Sequence, residues 1–129
     1  MSALPADAAP ADVITAMQRQ WTEAFARRDV DALVALYTPD CLHYGGQPTL
    51  AVGHPGVRAY FDTLPTQTLR AEFGEQAALR LGPSVVMSAG LVTFWVGGVA
   101  TAPYRFTLTF VHAGGAWKIG GHHACVAPV

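Results

Sequence analysis

The chain has 129 residues, a length that accommodates one domain with a sizeable core. Apolar types make up 51% of the residues and charged types 13%. In an ordinary soluble domain about a quarter of the residues are charged, so this chain has few charges. Its high content of apolar residues excludes a disordered chain. The net charge of −1 excludes recognition of nucleic acid or of an anionic membrane through charge. So few charges also indicate that another subunit covers part of the surface.

Targeting and redox signals are weak. The apolar stretch 79–99 is broken by Arg80, Pro83 and several glycines, which is typical of strands and turns rather than of a membrane helix. The N-terminus has neither Lys nor Arg before Arg19 and no continuous apolar run, so a signal peptide is not expected. Cys41 and Cys125 are too few for a disulfide framework. We expect a cytoplasmic protein with two free thiols.

The first third of the chain has helical periodicity. Residues 1–11 are rich in Ala and Pro and are expected to be a flexible lead-in, which leaves 12–129 as a single domain. A first helix is predicted from Asp12, with Arg27 and Arg28 in its last turn. Its apolar positions are spaced by three and four and comprise Val13, Met17, Trp21, Ala24 and Phe25.

Two shorter helices and a strand follow. Asp29 or Asp31 is expected to cap a second helix that carries Leu33, Leu36 and Tyr37 and ends at Pro39. Residues 41–44 are predicted to form a short strand before Gly45 and Gly46. A third helix opens at 53–55 and buries one face before Pro65 closes it. The members of that face are Val57, Tyr60, Phe61 and Leu64.

From about residue 70 onward the pattern predicts long strands. The four segments 69–81, 85–96, 102–112 and 116–126 are rich in Val, Phe, Thr and Trp and are separated by turn-forming residues. Short turns between consecutive strands predict an antiparallel meander. Three helices followed by a meander favour an α+β fold, with the helices packed on one face of a strongly curved, mixed or antiparallel sheet.

Alternation along the last two strands predicts which side chains face the helices. In the third long strand the inward set is Tyr104, Phe106, Leu108 and Phe110, and Arg105 points outward. In the last strand, Trp117, Ile119, Gly121, His123 and Cys125 are predicted to share one face, and Lys118, Gly120, His122 and Ala124 the other. Gly120 and Gly121 together indicate a bulge or a sharp bend.

Several motifs resemble one superfamily. The pattern Trp21-x-x-Ala24-Phe25-x-x-x-Asp29, followed by Leu36-Tyr37-x-x-Asp40, resembles the start of NTF2-like (SnoaL-like, cystatin-like) domains. The segments 104–107 and 117–119, with His122-His123 and Ala127-Pro128, are closer to the calcium/calmodulin-dependent kinase II association domain and its bacterial SgcJ/EcaC-type relatives. The resemblance implies a bacterial, cone-like domain with a pocket at its open end.

The resemblance also implies a homodimer through the outer face of the sheet. The residues expected there are Arg105, Thr107, Thr109, Trp117 and His123.

Catalytic groups of related families are replaced in this chain. The general-base aspartate of steroid isomerases corresponds to Gly45, the tyrosine that polarises their substrate to Trp21, and their protonated acid to Arg105 or Phe106. The cationic pocket of the kinase domain corresponds to Val57, Leu91, Leu108 and Ala124. Both replacements predict a mostly apolar cavity, without the acid–base set of the isomerases.

The candidate site residues are therefore few polar groups among many apolar ones. His122 is the candidate acid or base, and Tyr44 or Tyr60 the orienting donor. The predicted pocket lining comprises Trp21, Phe25, His43, Val57, Phe61, Leu91, Thr93, Trp95, Phe106 and Leu108. No metal is expected, because the five histidines do not have the spacing of a metal motif, and no cofactor is implied.

Three functions remain open at this stage. The domain could bind a small, mostly apolar ligand without catalysis. It could be an isomerase, cyclase or dehydratase that aligns an apolar substrate and uses His122. It could instead serve as a homo-oligomeric assembly domain, which the low charge content favours.

Overall fold

The computed structural model describes residues 4–128, which form three helices and seven strands. In chain order these are α1 (Pro10–Ala26), α2 (Val30–Ala35), β1 (Tyr37–Tyr44), β2 (Ala51–Val52), α3 (Gly53–Phe61), β3 (Leu69–Gly82), β4 (Val85–Val96), β5 (Val99–Ala100), β6 (Tyr104–Ala113) and β7 (Ala116–Val126). Within this range, no helix combines the length and the apolar composition that a membrane crossing requires. The predicted α+β architecture is confirmed.

The strands form one mixed, curled and unclosed sheet in the order β2-β1-β7-β6-β4-β3, with β5 paired to β4. The long strands β3, β4, β6 and β7 make the predicted antiparallel meander. Strand β1 joins this meander in parallel to β7, so the sheet is mixed. Helix α1 packs against β3, β4 and β7 and fills the concave side of the sheet.

Helix α1 brings the largest aromatic cluster into the core. It begins at Pro10, whose fixed φ suits the first helical turn, rather than at Asp12. Its buried side chains are Val13, Ile14, Met17, Trp21, Ala24 and Phe25. The Trp21 ring stacks on Phe25 at 5.0 Å between centroids and meets Phe106 edge-on at 6.0 Å. Each such aromatic contributes area burial and a geometry-dependent ring interaction.

The first strand is longer than predicted. Tyr37 was predicted to lie in the second helix, and Pro39 was predicted to end it. However, α2 stops at Ala35, and both residues belong to β1. The three- and four-residue spacing of Leu33, Leu36 and Tyr37 is compatible with a helix. Pairing with β7 overrides that local preference, because the Ile119 N–H donates to the Leu36 carbonyl at 2.7 Å. Asp29 caps α2 as predicted, accepting from the Ala32 N–H at 3.0 Å.

A bulge in β7 overturns part of the predicted face assignment. Thr109 pairs with Gly121 and Phe110 with Ile119, so Gly120 is the extra residue, as the Gly-Gly pair indicated. Because the bulge shifts the alternation by one residue, Trp117 and Ile119 face inward together with His122 and Ala124. The prediction that Trp117 lies on the outer face was therefore wrong.

Trp117 is only 6% exposed beneath the N-terminal segment. Its indole N–H donates to the Pro5 carbonyl at 3.1 Å. The Arg80 guanidinium donates to the Ala6 carbonyl at 3.3 Å and also to the Ala8 carbonyl. Residues of the predicted lead-in are thus hydrogen-bonded to the sheet.

Arg28 connects the end of α1 to the loop before β3. Arg27 and Arg28 lie just beyond the helix rather than in its last turn. Arg28 adopts a positive φ of 54°, a conformation unusual for a residue with a side chain. Its guanidinium donates to the Pro65 carbonyl at 3.0 Å and to the Gln67 carbonyl. These bonds hold the segment that borders the cavity described next.

Candidate functional site

A cavity of about 180 Å³ lies between α1, α3 and the concave side of the sheet. Its walls are aromatic and aliphatic, and within residues 4–128 no Asp, Glu, Lys or Arg side chain lines it. The lining consists of Trp21, Phe25, His43, Gly45, Gly46, Tyr60, Phe61, Leu64, Pro65, Leu69, Phe94, Val96, Thr101, Tyr104, Phe106, His122 and Ala124. Such a cavity is suited to an uncharged molecule, because a charge would be desolvated without a partner.

His122 is a buried polar group of the cavity lining, and a chain of hydrogen bonds holds it. The ring is 5% exposed and projects from β7 beside the bulge. Its Nδ1 lies 2.9 Å from the Tyr37 hydroxyl, which accepts from the Trp21 Nε1–H at 3.0 Å. The other ring nitrogen, Nε2, is buried and has no hydrogen-bond partner among the described residues.

His43 lies against His122 from the neighbouring strand. The two rings are perpendicular, with centroids 4.3 Å apart, because β1 and β7 pair in parallel with His43 opposite His122. His43 is 1% exposed, and its Nδ1 also has no partner among the described residues. Buried polar atoms are ordinarily paired, so two unpaired ring nitrogens in one cavity call for a functional explanation.

Tyr60 from α3 completes the polar side of the cavity. Its ring packs edge-on against His43 at 4.5 Å, and its hydroxyl accepts from the Gly46 N–H at 2.9 Å. A Cβ atom on Gly45 would lie 2.4 Å from that hydroxyl oxygen and 2.8 Å from the His43 ring. Tyr60 and His43 thus fill the space beside the position where steroid isomerases are expected to carry their general base.

Burial determines the protonation of these groups. It lowers the pKa of His43 to about 4. Burial, followed by the neighbouring His43 and His123, lowers the pKa of His122 well below its usual value. Burial also raises the pKa of the Tyr37 and Tyr60 hydroxyls. At neutral pH the cavity is therefore lined by the neutral imidazoles of His43 and His122 and the neutral phenol of Tyr60, and the neutral phenol of Tyr37 lies behind His122.

Seven of the predicted site residues line this cavity: Trp21, Phe25, His43, Tyr60, Phe61, Phe106 and His122. Val57 and Leu108 are buried in the core without lining it. Leu91, Thr93 and Trp95 belong to the opposite face of β4, because Val92, Phe94 and Val96 alternate with them and face inward. The Arg70 guanidinium covers the Trp95 ring at 3.6 Å. Tyr44 is 46% exposed and packs against His123 on that same outer face.

Tyr37 is a site residue that the sequence analysis missed, as it missed the lining residues Gly45, Gly46, Leu64, Pro65, Leu69, Phe94, Val96, Thr101, Tyr104 and Ala124. Tyr37 was assigned to a helix, and only the pairing of β1 with β7 brings its hydroxyl to His122. Trp21 was predicted to line the pocket, but its role as donor to Tyr37 was not foreseen. Because Trp21, Tyr37 and His122 are far apart in the sequence, no local sequence signal predicts the hydrogen bonds between them.

A second, larger depression of about 620 Å³, the outer groove, lies between α1, α2 and the start of β7. Its lining includes Arg19, Glu23, Arg27 and Lys118, so it is charged where the inner cavity is not. The Lys118 ammonium donates to the Ala35 carbonyl at 2.6 Å. Within the described part of the chain, no group of three His, Cys, Asp or Glu side chains could hold a metal ion.

Known structures share this architecture. A protein described as a calcium/calmodulin-dependent protein kinase II association domain, from Xanthomonas campestris, matches with a TM-score of 0.84 and 23% identity, covering 98% of this chain and 94% of that one. A ketosteroid isomerase-like protein from Erwinia carotovora atroseptica matches with a TM-score of 0.72 and 21% identity over 91% and 96% of the two chains.

A protein described as a dehydratase of the NTF2-like family, from Streptomyces avermitilis, has a TM-score of 0.80 and 16% identity over 93% and 97%. No curated protein sequence matches this chain. At these identities the three structures establish the fold. The model of the SnoaL-like domain matches residues 14–128, and the chain therefore belongs to the SnoaL-like domain family.

Proposed function

We propose that this domain binds a small, uncharged, mostly apolar molecule in the inner cavity, in contact with His122. The observation that carries the proposal is the buried Nε2 of His122: this ring belongs to the lining of an aromatic cavity, and its Nε2 has no partner among the described residues. A ligand with one polar group would pair this nitrogen, and the ring walls would bury the rest of the ligand.

The volume limits the size of the ligand. Apolar cavities of about 150 Å³ bind benzene, so a cavity of about 180 Å³ suits one aromatic ring with a small substituent. Among the lining residues, Pro65 is exposed and Leu64 and Thr101 are half-buried, so we expect a longer substituent to extend outward past them. A carboxylate or phosphate is disfavoured, because no cationic side chain lines the cavity in the described range.

Acetophenone and α-methylstyrene test this binding, because both are uncharged single-ring compounds of nearly equal shape. We expect each to cause saturable amide shifts at Trp21, His43 and His122 in two-dimensional NMR. Ala124→Leu fills the cavity and should abolish these shifts, whereas Ala11→Leu on the exposed start of α1 should leave them intact. The proposal fails if neither compound gives saturable shifts, or if Ala124→Leu binds as the wild type does.

An enzymatic role is the second candidate. His122 and Tyr60 both line the cavity, with His43 in contact with each, so an acid or base and an orienting hydroxyl would meet the same ligand. The ketosteroid isomerase-like and dehydratase-like neighbours indicate isomerisation and dehydration of small apolar ketones and alcohols as reaction classes to screen, and the sequence analysis adds cyclisation. His122→Ala should abolish any turnover found, and retention of the rate would exclude His122 as the reactive group.

We further propose a homodimer through the outer face of the sheet. Cross-strand registers place Tyr44, His123, Thr107 and Ala89 in one row of that face. The neighbouring rows hold Leu42, Gly121, Thr109 and Met87 on one side, and Cys125, Arg105 and Leu91 on the other. Only one of these eleven residues is charged, which favours burial against another copy.

Native mass spectrometry of gently purified protein tests the assembly. We expect a dimer, which Thr107→Asp should dissociate because it places a carboxylate in the proposed interface. Glu75→Asp, an exposed conservative change, is the control. A monomeric wild type contradicts the dimer, and a larger ring favours the assembly function. A released adduct of a few hundred daltons or less would identify the ligand class of the cavity.

A further inference from the structure

We propose that Tyr37 and Trp21 fix the tautomer of His122, so that the ring presents an N–H to the cavity and selects ligands with a neutral hydrogen-bond acceptor, such as aromatic ketones. The choice of ligand rests on the proposed binding function, whereas the tautomer can be tested without any ligand. Tyr37 does not line the cavity and acts through His122, so it is a positioning residue.

The Trp21 end of this hydrogen-bonded chain has a fixed direction. The indole N–H of Trp21 is a donor only, and it points at the Tyr37 oxygen at 3.0 Å. The Tyr37 hydroxyl then has one hydrogen left to donate, and His122 Nδ1, at 2.9 Å, is its only acceptor among the hydrogen bonds of the described residues. In this arrangement Nδ1 accepts, and the proton of the neutral ring resides on Nε2.

The opposite tautomer leaves more groups unpaired. If Nδ1 carried the proton and donated to Tyr37, the hydroxyl hydrogen of Tyr37 would have no acceptor in this buried position. The Nε2 lone pair would also stay unpaired, giving two unpaired groups instead of one. An unpaired buried polar group is costly, so the arrangement with one such group is favoured over the arrangement with two.

Two of the polar groups that line the cavity are then donors. His122 offers Nε2–H, and the Tyr60 hydroxyl, which already accepts from the Gly46 N–H, has its own hydrogen free for an acceptor. The aromatic walls suit a flat ring, and the lack of a charged lining residue within 4–128 excludes strong binding of a carboxylate. A neutral ketone attached to an aromatic ring satisfies all three requirements.

The tautomer is measured directly by long-range 15N–1H correlation of the imidazole rings in the wild-type protein at pH 7.5. His122 is assigned by the loss of its signals in His122→Gln. We expect the pattern of the Nε2–H tautomer in the wild type and a mixture of tautomers in Tyr37→Phe. Tyr104→Phe makes the same chemical change in a residue that lines the cavity without bonding His122, and it should leave the pattern unchanged.

Two results of this measurement overturn the proposal. A wild-type ring protonated on Nδ1 refutes the assigned tautomer. An unchanged Nε2–H pattern in Tyr37→Phe refutes the role of Tyr37. If Tyr37→Phe does not fold, the buried hydroxyl proton of wild-type Tyr37 is observed instead. A scalar coupling from that proton to His122 Nδ1 supports the proposal, and a proton covalently bound to Nδ1 overturns it.

Ligand selection is tested with acetophenone and α-methylstyrene. Acetophenone has a carbonyl oxygen at the position where α-methylstyrene has a methylene group. The ratio of their Kd values is measured in the wild type and in Tyr37→Phe, because comparing the two proteins cancels the ligands' different transfer from water. We expect the relative preference for acetophenone to fall roughly threefold to tenfold in Tyr37→Phe, the range of one net hydrogen bond.

The outcomes separate this inference from the proposed function. Binding of neither compound, together with an Nε2–H ring, would contradict the cavity function and the ligand choice but not the tautomer. Binding of both compounds with an unchanged ratio in Tyr37→Phe would contradict the selection and leave the binding function intact.

Discussion

The inner cavity and the outer groove differ in both size and chemistry. The groove is more than three times larger, about 620 Å³ against about 180 Å³, and charged side chains on α1 and β7 line it. The cavity has no charged lining among residues 4–128, but it holds two buried ring nitrogens without a protein partner. Size alone would favour the groove, whereas unpaired buried polar atoms favour the cavity, because they are the groups that gain free energy from a bound ligand.

The same helix faces both depressions. Trp21 and Phe25 project from α1 into the cavity, while Arg19 and Glu23 project from its other face into the groove. The groove groups are solvated and can be replaced at little cost. The cavity groups are enclosed by the core, so any change there alters packing, protonation or hydrogen bonding together.

The largest expected effect is on stability. Trp21→Ala removes a ring that packs on Phe25 and Phe106 and donates to Tyr37, so we expect the free energy of unfolding to fall by about 3–5 kcal/mol. Arg19→Ala, on the groove side of the same helix, should change it by less than about 0.5 kcal/mol. Urea unfolding measures both, and equal losses would refute the contrast between the two faces.

Acidification should act through the cavity histidines. Their pKa values are lowered in the folded state, so the stability that they contribute is fully present above the ordinary histidine pKa of about 6.5. It is lost as the pH falls toward the folded-state values. His43, with its pKa lowered to about 4, accounts for about 3 kcal/mol of this loss between pH 6.5 and 4.

Urea unfolding from pH 7.5 to pH 4.5 checks this effect by its slope. We expect a steep fall of the unfolding free energy in the wild type and a shallower one in His43→Gln. His112→Gln makes the same chemical change at a residue outside the cavity lining and should keep the wild-type slope. A wild-type slope in His43→Gln would show that His43 is not held neutral by burial.

A smaller effect is expected at the two adjacent glycines of the cavity wall. Gly45→Ala places a Cβ 2.4 Å from the Tyr60 hydroxyl oxygen, so Tyr60 must move and release the Gly46 N–H. We expect the free energy of unfolding of Gly45→Ala to fall by about 1–3 kcal/mol, the range found when a packed core receives an extra methyl group. In Gly46→Ala the added Cβ would lie 3.6 Å from the Tyr60 hydroxyl oxygen, which is an ordinary contact distance. We therefore expect the free energy of unfolding to fall by less than about 0.5 kcal/mol. Thermal unfolding of the two variants measures this difference, and equal unfolding midpoints for Gly45→Ala and Gly46→Ala would contradict the close contact at Gly45.

The fold was largely predictable because its signals are local. Strand alternation and glycine-rich turns give β4 and β7 with their observed bounds, and the motifs give the family. The failures come from tertiary effects. Tyr37 has a helical spacing, yet it forms a strand because β7 offers it a partner. The bulge at Gly120 was foreseen, but the faces were assigned as if the alternation continued through it.

The candidate site was predictable only in part, for the same reason. The lining residues that lie on correctly assigned faces, such as Trp21, Phe106 and His122, face the cavity. Leu91, Thr93 and Trp95 were drawn from the outer face of β4, where neighbours with one-residue spacing project oppositely. The hydrogen-bonded chain behind His122 joins residues 16 and 85 positions apart, a relation that a single sequence does not reveal.

The smallest expected effect concerns salt. Because no charged residue lines the cavity within residues 4–128, the Kd of acetophenone should change by less than about twofold between 0.05 and 0.5 M NaCl, after correction for the solubility of the ligand. Isothermal titration at four salt concentrations measures this dependence. An anionic aromatic dye attracted to Arg19, Arg27 and Lys118 in the outer groove should instead weaken steadily over the same range. A strong salt dependence for acetophenone would contradict binding of this uncharged ligand in a cavity without charged lining residues.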